Sequence, residues 1–248
     1  MRTPKRIMMA GDWHGNTAWA IKAVYEAANN GCDVIVQLGD FGIWPGPGGK
    51  RYLDDLNATL ESLDIIVYFI DGNHEDFTQF TDNKIVEDGT RRFRSNIFHL
   101  PRAHTWEWFG KRWMSLGGAF SVDKDHRREG VSWWPEEEVT EEDVTRALAA
   151  GPVDVLLTHD APLDIVEIPG INDATFPFHP KMLPLAKVNQ EKIKRVVQAL
   201  EPSEVWHGHY HVAYGRELVH ASGKEWSIIG LACDGMDYNT YLYGGDTE

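Results

Sequence analysis

Aspartate, asparagine and histidine recur where short apolar runs end. Ile7–Ala10 leads into Gly11-Asp12-Trp13-His14-Gly15, and Val34–Leu38 leads into Gly39-Asp40. Ile65–Ile70 runs into Asp71-Gly72-Asn73-His74-Glu75, Val153–Thr158 into His159-Asp160, and Glu204–Trp206 into His207-Gly208-His209-Tyr210-His211. These are metal-ligand residue types. If the runs are neighbouring parallel strands, their carboxyl ends open on one sheet edge, where α/β proteins place ligands. Asp12, His14, Asp40, Asn73, His159, His209 and His211 then converge in one pocket. An isolated Asp-x-His or Gly-Asp is weak, since a turn explains it as well. His-x-His is stronger, because side chains alternate along an extended chain and both imidazoles share a side. The specificity lies in the recurrence, each time after a strand-like run.

Mixed histidine, carboxylate and amide ligands suit manganese, iron, zinc, cobalt or nickel rather than a thiolate zinc site. Seven candidates are too many for one ion. They suit two divalent ions about 3.5 Å apart sharing a carboxylate, with a water between them that is largely hydroxide at neutral pH. Such a pair stabilises both the attacking and the leaving oxygen of an in-line displacement at phosphorus.

The elements that must position these residues follow from the same apolar runs, read as strands. Helices are expected over Thr17–Asn29, stopped by Asn30-Gly31, and over Tyr52–Leu63, Val139–Ala149 and Gln190–Leu200. In the middle, Arg94–Leu100, His104–Phe109 and Arg112–Leu116 read as antiparallel strands. Val212–Val219, Trp226–Leu231 and Thr240–Tyr243 read as closing strands. The sum is an α/β chain with two sheets face to face, helices outside and one core. Pro162–Pro184 contains five prolines, reads as a long irregular loop and is expected at the pocket rim, since it directly follows His159.

Composition narrows the function. At 248 residues and a net charge of −14, the chain fits one large domain, taken as residues 1–248. The acidity argues against a broad phosphate-gripping basic face and against an anionic membrane surface. No run reaches membrane-span length. Only Ile7–Ala10 follows the basic Met1–Arg6 stretch before Asp12, which is too short for a secretory signal. Two cysteines, Cys32 and Cys233, are read as free thiols in the cytoplasm.

The ordered set Asp12-x-His14, Gly39-Asp40, Gly72-Asn73-His74-Glu75, His159 and Gly208-His209-x-His211 resembles the calcineurin-like metallophosphoesterase superfamily. The resemblance implies a four-layer αββα sandwich, two mixed sheets flanked by helices. It implies one metal on Asp12, His14, Asp40 and His211, and another on Asp40, Asn73, His159 and His209, with Asp40 bridging. His74 matches the family's non-ligand histidine, which stabilises or protonates the leaving oxygen. His74 and Asp40 are thus the catalytic candidates. The expected activity is that of a phosphatase or phosphodiesterase in which a metal-bridging hydroxide attacks phosphorus in line. Manganese is the first expectation for both ions, with iron, zinc, cobalt or nickel as alternatives. A phosphoester is the expected partner, and a nucleic acid enters only as a substrate. The phosphoprotein phosphatase branch carries Gly-Asp-x-x-Asp-Arg-Gly, whereas this chain reads Gly39-Asp40-Phe41-Gly42-Ile43-Trp44-Pro45-Gly46, without that aspartate and arginine. The stretch from Gly117 through Arg127 to Glu137 looks like bacterial and phage members. The alternatives are a catalytically silent binding module of the same fold and a nuclease of the superfamily.

Further residues are weighed beside the motifs. Arg127 is a candidate phosphate clamp, and Trp44, with Trp133 and Trp134, a candidate pocket wall. Arg128 and the Arg91, Arg92, Arg94 cluster read as solvated surface. His207 reads as buried support for the last motif. His99, His104, His179 and His220 read as ordinary packing or surface, and Cys233 as a small buried residue.

Overall fold

The protein is described from a computed structural model that covers residues 1–170 and 181–244. In chain order the first half contains β1 (Ile7–Ala10), α1 (Thr17–Asn29), β2 (Val34–Gln37), α2 (Gly46–Ser62), β3 (Ile66–Phe69), α3 (Thr78–Asp82), β4 (Arg91–Arg92), β5 (Ile97–His99), β6 (Thr105–Trp108) and β7 (Lys111–Leu116). The second half contains α4 (Glu141–Ala150), β8 (Val155–Thr158), α5 (Leu183–Leu200), β9 (Glu204–His207), β10 (Tyr214–Val219), β11 (Glu225–Gly230) and β12 (Thr240–Tyr243).

Two six-stranded sheets form, ordered β12-β1-β2-β3-β5-β4 and β10-β11-β9-β8-β7-β6. In each, the inner strands run parallel and both edge strands pair antiparallel. The inner strands β1, β2 and β8 are buried on both faces, and period-2 alternation sends their side chains to different layers. Ile7 and Met9 join the inter-sheet core, whereas Met8 and Ala10 pack under α1 and α2. Val155 and Leu157 likewise point between the sheets, and Leu156 points under α4 and α5. The result is the expected four-layer αββα sandwich. Its apolar interior is divided, however: an inter-sheet layer rich in Trp106, Trp108, Trp113 and Trp206 separates two helix–sheet layers. The expectation of one core is corrected accordingly, because a sheet covered on both faces must feed two interiors.

Several boundaries differ from the sequence reading. The Arg94–Leu100 run forms β5, which pairs antiparallel with the two-residue β4 but parallel with β3; β6 and β7 pair antiparallel with each other as expected. Helix α2 starts at Gly46 rather than Tyr52, with Pro47 in its first turn, where a missing N–H costs nothing. Helix α5 starts at Leu183 rather than Gln190, with Pro184 in the same role. Part of the expected rim loop is therefore helix, and residues 171–180, including Pro177, His179 and Pro180, lie outside the described residues. A capping box between Thr140 and Asp143 starts α4. Among the described residues no helix is long and apolar enough to cross a membrane.

Candidate metal centre

The carboxyl ends of β1, β2 and β3 lie side by side in one sheet, and those of β8 and β9 lie side by side in the other. The residues that follow these five strands meet between the two sheets. Asp12 and His159 are fully buried, Asp40 is 1% exposed and Asn73 4%. Four of the seven candidates, His14, Asp40, His209 and His211, hold positive φ angles of 45°, 53°, 69° and 58°. Non-glycine residues pay for that conformation, and it persists where the surroundings over-determine it.

Contacts within the group are short. His211 Nε2 lies 3.2 Å from Asp12 Oδ2, and His14 Nε2 lies 3.5 Å from Asp40 Oδ2. His159 Nε2 lies 3.2 Å from Asn73 Oδ1 and 3.4 Å from Asp40 Oδ1. The His159 and His209 rings are 5.1 Å apart. Among the described residues, two groups bring ligand atoms within 4.8 Å of one another: Asp12, His14 and His211, and Asp12, Asp40 and His159. The first coincides with most of one expected ligand set. The second joins Asp12 to Asp40 and His159, whose Nε2 also faces Asn73 Oδ1, and does not include His209. His209 instead gives its backbone N–H to both Asp12 oxygens at 3.1 Å.

Far sides of these candidate ligands are anchored. His159 Nδ1 donates to the Leu38 carbonyl at 2.6 Å, which turns Nε2 toward Asp40 and Asn73. His14 Nδ1 lies 2.7 Å from Asp234 Oδ1, and Asp234 is held in turn by the Asn16 amide at 2.8 Å. Such outer partners fix ring orientation and raise ligand basicity. Asp40 Oδ1 accepts the Asn73 and His74 N–H groups, both at 2.9 Å. Asn73 Nδ2 donates to Ser121 Oγ at 3.0 Å, and Ser121 Oγ donates to Glu137 at 2.8 Å. The loop carrying Asn73 and His74 is tied down by Asp71, which accepts from Arg102 at 2.6 and 2.8 Å and contacts His99 Nε2 at 3.0 Å. Two motif glycines are required by close approach: a Cβ on Gly72 would strike Asp40, and one on Gly208 would strike Asp12.

Electrostatics follow from the two buried aspartates. Burial opposes charge on His14, but hydrogen bonding and attraction to Asp40, then to Asp12, raise its pKa to about 9. His159 rises to about 10 against burial, through Asp40 and Asp12. His211 also rises to about 10 against burial, through Asp12. Asp40 is held well below the usual carboxylate range despite burial, by His74, His159 and His14. Burial pushes His209 well down, with His159 adding to it. Two buried carboxylates ringed by imidazoles and an amide oxygen are the donor chemistry of a divalent cation site.

His74 stands beside this group, its Nε2 3.8 Å from Asp40 Oδ2 and 2.9 Å from Arg127 Nη2. Guanidinium only donates, so His74 Nε2 accepts and the neutral ring carries its hydrogen on Nδ1. Burial lowers the His74 pKa; Asp40 pulls it up and Arg127 pushes it further down. Arg127 is also bound through Nε to Asp123 at 2.9 Å. Trp44 is 41% exposed and lies against Gly15, next to His14. Trp134 is buried in the helix–sheet layer under α1 and α2, and Lys124 covers Trp133. Arg128 is exposed as expected. His207 is fully buried and pairs with the Tyr214 hydroxyl at 2.5 Å; burial lowers its pKa to about 4.

Sequence reading missed Asp234, Ser121 and Glu137. Asp234 lies four residues beyond the end of β11, which runs parallel to β9, so it too is an acidic residue following a strand end, here anchoring a candidate ligand. The same signal could have found it. Ser121 and Glu137 carry no comparable local mark.

The family model for calcineurin-like phosphoesterases matches residues 5–213. No curated protein matches. Among solved structures, the fold is similar to the TT1561 protein of Thermus thermophilus, with a TM-score of 0.54 at 12% identity, covering 93% of this chain and 90% of that one. It is also similar to a dimetal phosphatase from Danio rerio, with a TM-score of 0.49 at 16% identity, covering 92% of this chain and 87% of that one.

Proposed function

This chain belongs to the calcineurin-like phosphoesterase family, and from that premise we propose that it is a phosphoester hydrolase working with two divalent metal ions. The observation that carries the reading is the pair of ligand-atom groups that meet on the buried Asp12: Asp12 with His14 and His211, and Asp12 with the buried Asp40 and His159. Asp12, His14, Asp40 and His211 would hold one ion. Asp40, Asn73, His159 and His209 would hold the other, with Asp40 shared. Manganese is the first choice. The ions would supply Lewis-acid activation of water and charge stabilisation at phosphorus.

The chain's own groups do the rest. Asp40 is oriented by the Asn73 and His74 N–H groups, so one motif sets both a ligand and the neighbouring histidine. A phosphoryl oxygen competes for the Arg127 guanidinium, which binds phosphate better than it binds imidazole. His74 Nε2 is then released to hold or pass a proton at the leaving oxygen, a role suited to an imidazole near neutral pH. Trp44 forms a wall beside His74 and Arg127. We take residues 1–248 as one domain, a reading supported by the pairing of β12 with β1. Cys32 and Cys233 are free and buried, which supports a reducing compartment such as the cytoplasm.

The test is hydrolysis of an aryl phosphoester by purified protein with added Mn²⁺. Activity is expected to vanish with a chelator and to fall by about a hundredfold or more in Asp40→Asn. Activity that survives full metal removal overturns the reading.

A further inference from the structure

Two cavities share the His74–Arg127 pair. One, of about 480 Å³, has Asp40, Asn73, His209 and His211 on its wall together with an aliphatic surface that includes Val122, Ile168 and Leu183. The other, of about 470 Å³, is lined by Trp44, Pro45, Val131 and Trp134. His74 and Arg127 line both. Each volume suits one small organic group.

Resting on the phosphoesterase reading above, we propose that the substrate is a phosphodiester, its phosphoryl group beside His74 and Arg127 with one ester arm in each cavity. A monoester has a single organic arm and leaves one cavity without use. The second cavity also presents large apolar surface to solvent, with Trp44 41% and Val131 49% exposed, which a flat arm would cover. Charge points the same way. Among the described residues lining the two cavities, Arg127 is the one Lys or Arg, and Asp123 already shares it at 2.9 Å. Outside the ligand set the site thus offers little net positive charge, which matches the single negative charge of a diester better than a monoester dianion. In the reaction, water oxygen bonds to phosphorus and the P–O bond to one arm breaks. A water proton ends on the departing oxygen, giving a monoester and an alcohol.

The experiment compares three probes on Mn²⁺-loaded protein: bis(4-nitrophenyl) phosphate, methyl 4-nitrophenyl phosphate and 4-nitrophenyl phosphate. All share one leaving group; the first two share charge and differ in the second arm. Expected kcat/KM falls at least tenfold from the bis-aryl diester to the methyl diester, and the monoester is slower than the bis-aryl diester. Trp44→Ala is expected to shrink the bis-aryl to methyl ratio at least fivefold. A monoester turned over faster than the bis-aryl diester overturns the inference and leaves the phosphoesterase reading standing. So does a Trp44→Ala variant with an unchanged ratio. Inertness toward all three overturns both.

Discussion

Asp234 Oδ1 lies 2.7 Å from His14 Nδ1 across 220 residues of sequence, and it sets which imidazole nitrogen faces Asp40. Asp234→Asn keeps a hydrogen-bonding oxygen but removes the charge that raises His14 basicity. Mn²⁺ affinity measured by calorimetry is expected to fall about 10- to 100-fold, as outer-partner losses do. Asp234→Ala should lose more. Unchanged affinity in both variants would falsify the anchoring role.

In the proposed centre, proton and metal compete for the same nitrogens. His14, His159 and His211 are raised to about 9, 10 and 10 by Asp40 and Asp12 against burial. In the metal-free chain these raised values stabilise the fold fully below the unfolded histidine value of about 6.5. That contribution is lost as pH rises through 9 to 10. The melting temperature of metal-free protein should therefore drop over this window. Metal binding should strengthen over the same window and release protons, detectable by a pH electrode in weakly buffered solution. A flat proton balance on metal addition speaks against histidine ligation.

Arg127→Ala removes the donor facing His74 Nε2. The expected loss in kcat/KM is about 10- to 100-fold, with partial recovery in Arg127→Lys, since a point charge lacks the planar fork. Steady-state kinetics on an aryl diester decides it; equal rates for all three proteins exclude a phosphate contact.

For His74 the leaving group is the probe. His74→Ala should lower kcat by about 10²- to 10⁴-fold on an alkyl ester. The loss should be much smaller on a 4-nitrophenyl ester, whose leaving oxygen needs little protonation. Mn²⁺ binding should be retained. An identical loss on both esters argues against proton transfer by this residue.

In the inter-sheet layer, Trp113 is fully buried against Trp106, Trp108 and Tyr243. Trp113→Ala should cost about 3–5 kcal/mol, read from the urea midpoint. A shift under about 1 kcal/mol would mean that the sheets close over the gap.

Local pattern carried the parts of this protein that depend on neighbours in sequence. Apolar runs ending in Asp, Asn or His located the loops after β1, β2, β3, β8 and β9, because strand burial and tight turns are set within a few residues. Helix α1 was legible to the residue for the same reason, with Asn16 capping its start and Asn30-Gly31 beyond its end. Prolines misled the reading of α5, since Pro184 can open a helix as readily as it interrupts one. Direction of β5 was not legible at all, because an apolar run has the same composition whichever way it pairs.

By itself, then, the sequence determined the candidate ligand types, their order and the strand ends that carry them. Only the tertiary structure decided that Asp234 anchors His14, that Arg127 donates to His74, and that two cavities share this pair. Those contacts join residues 220 and 53 positions apart. They exist because two sheets stack with their parallel strand ends together, an arrangement set by packing across the whole chain rather than by any local stretch of it.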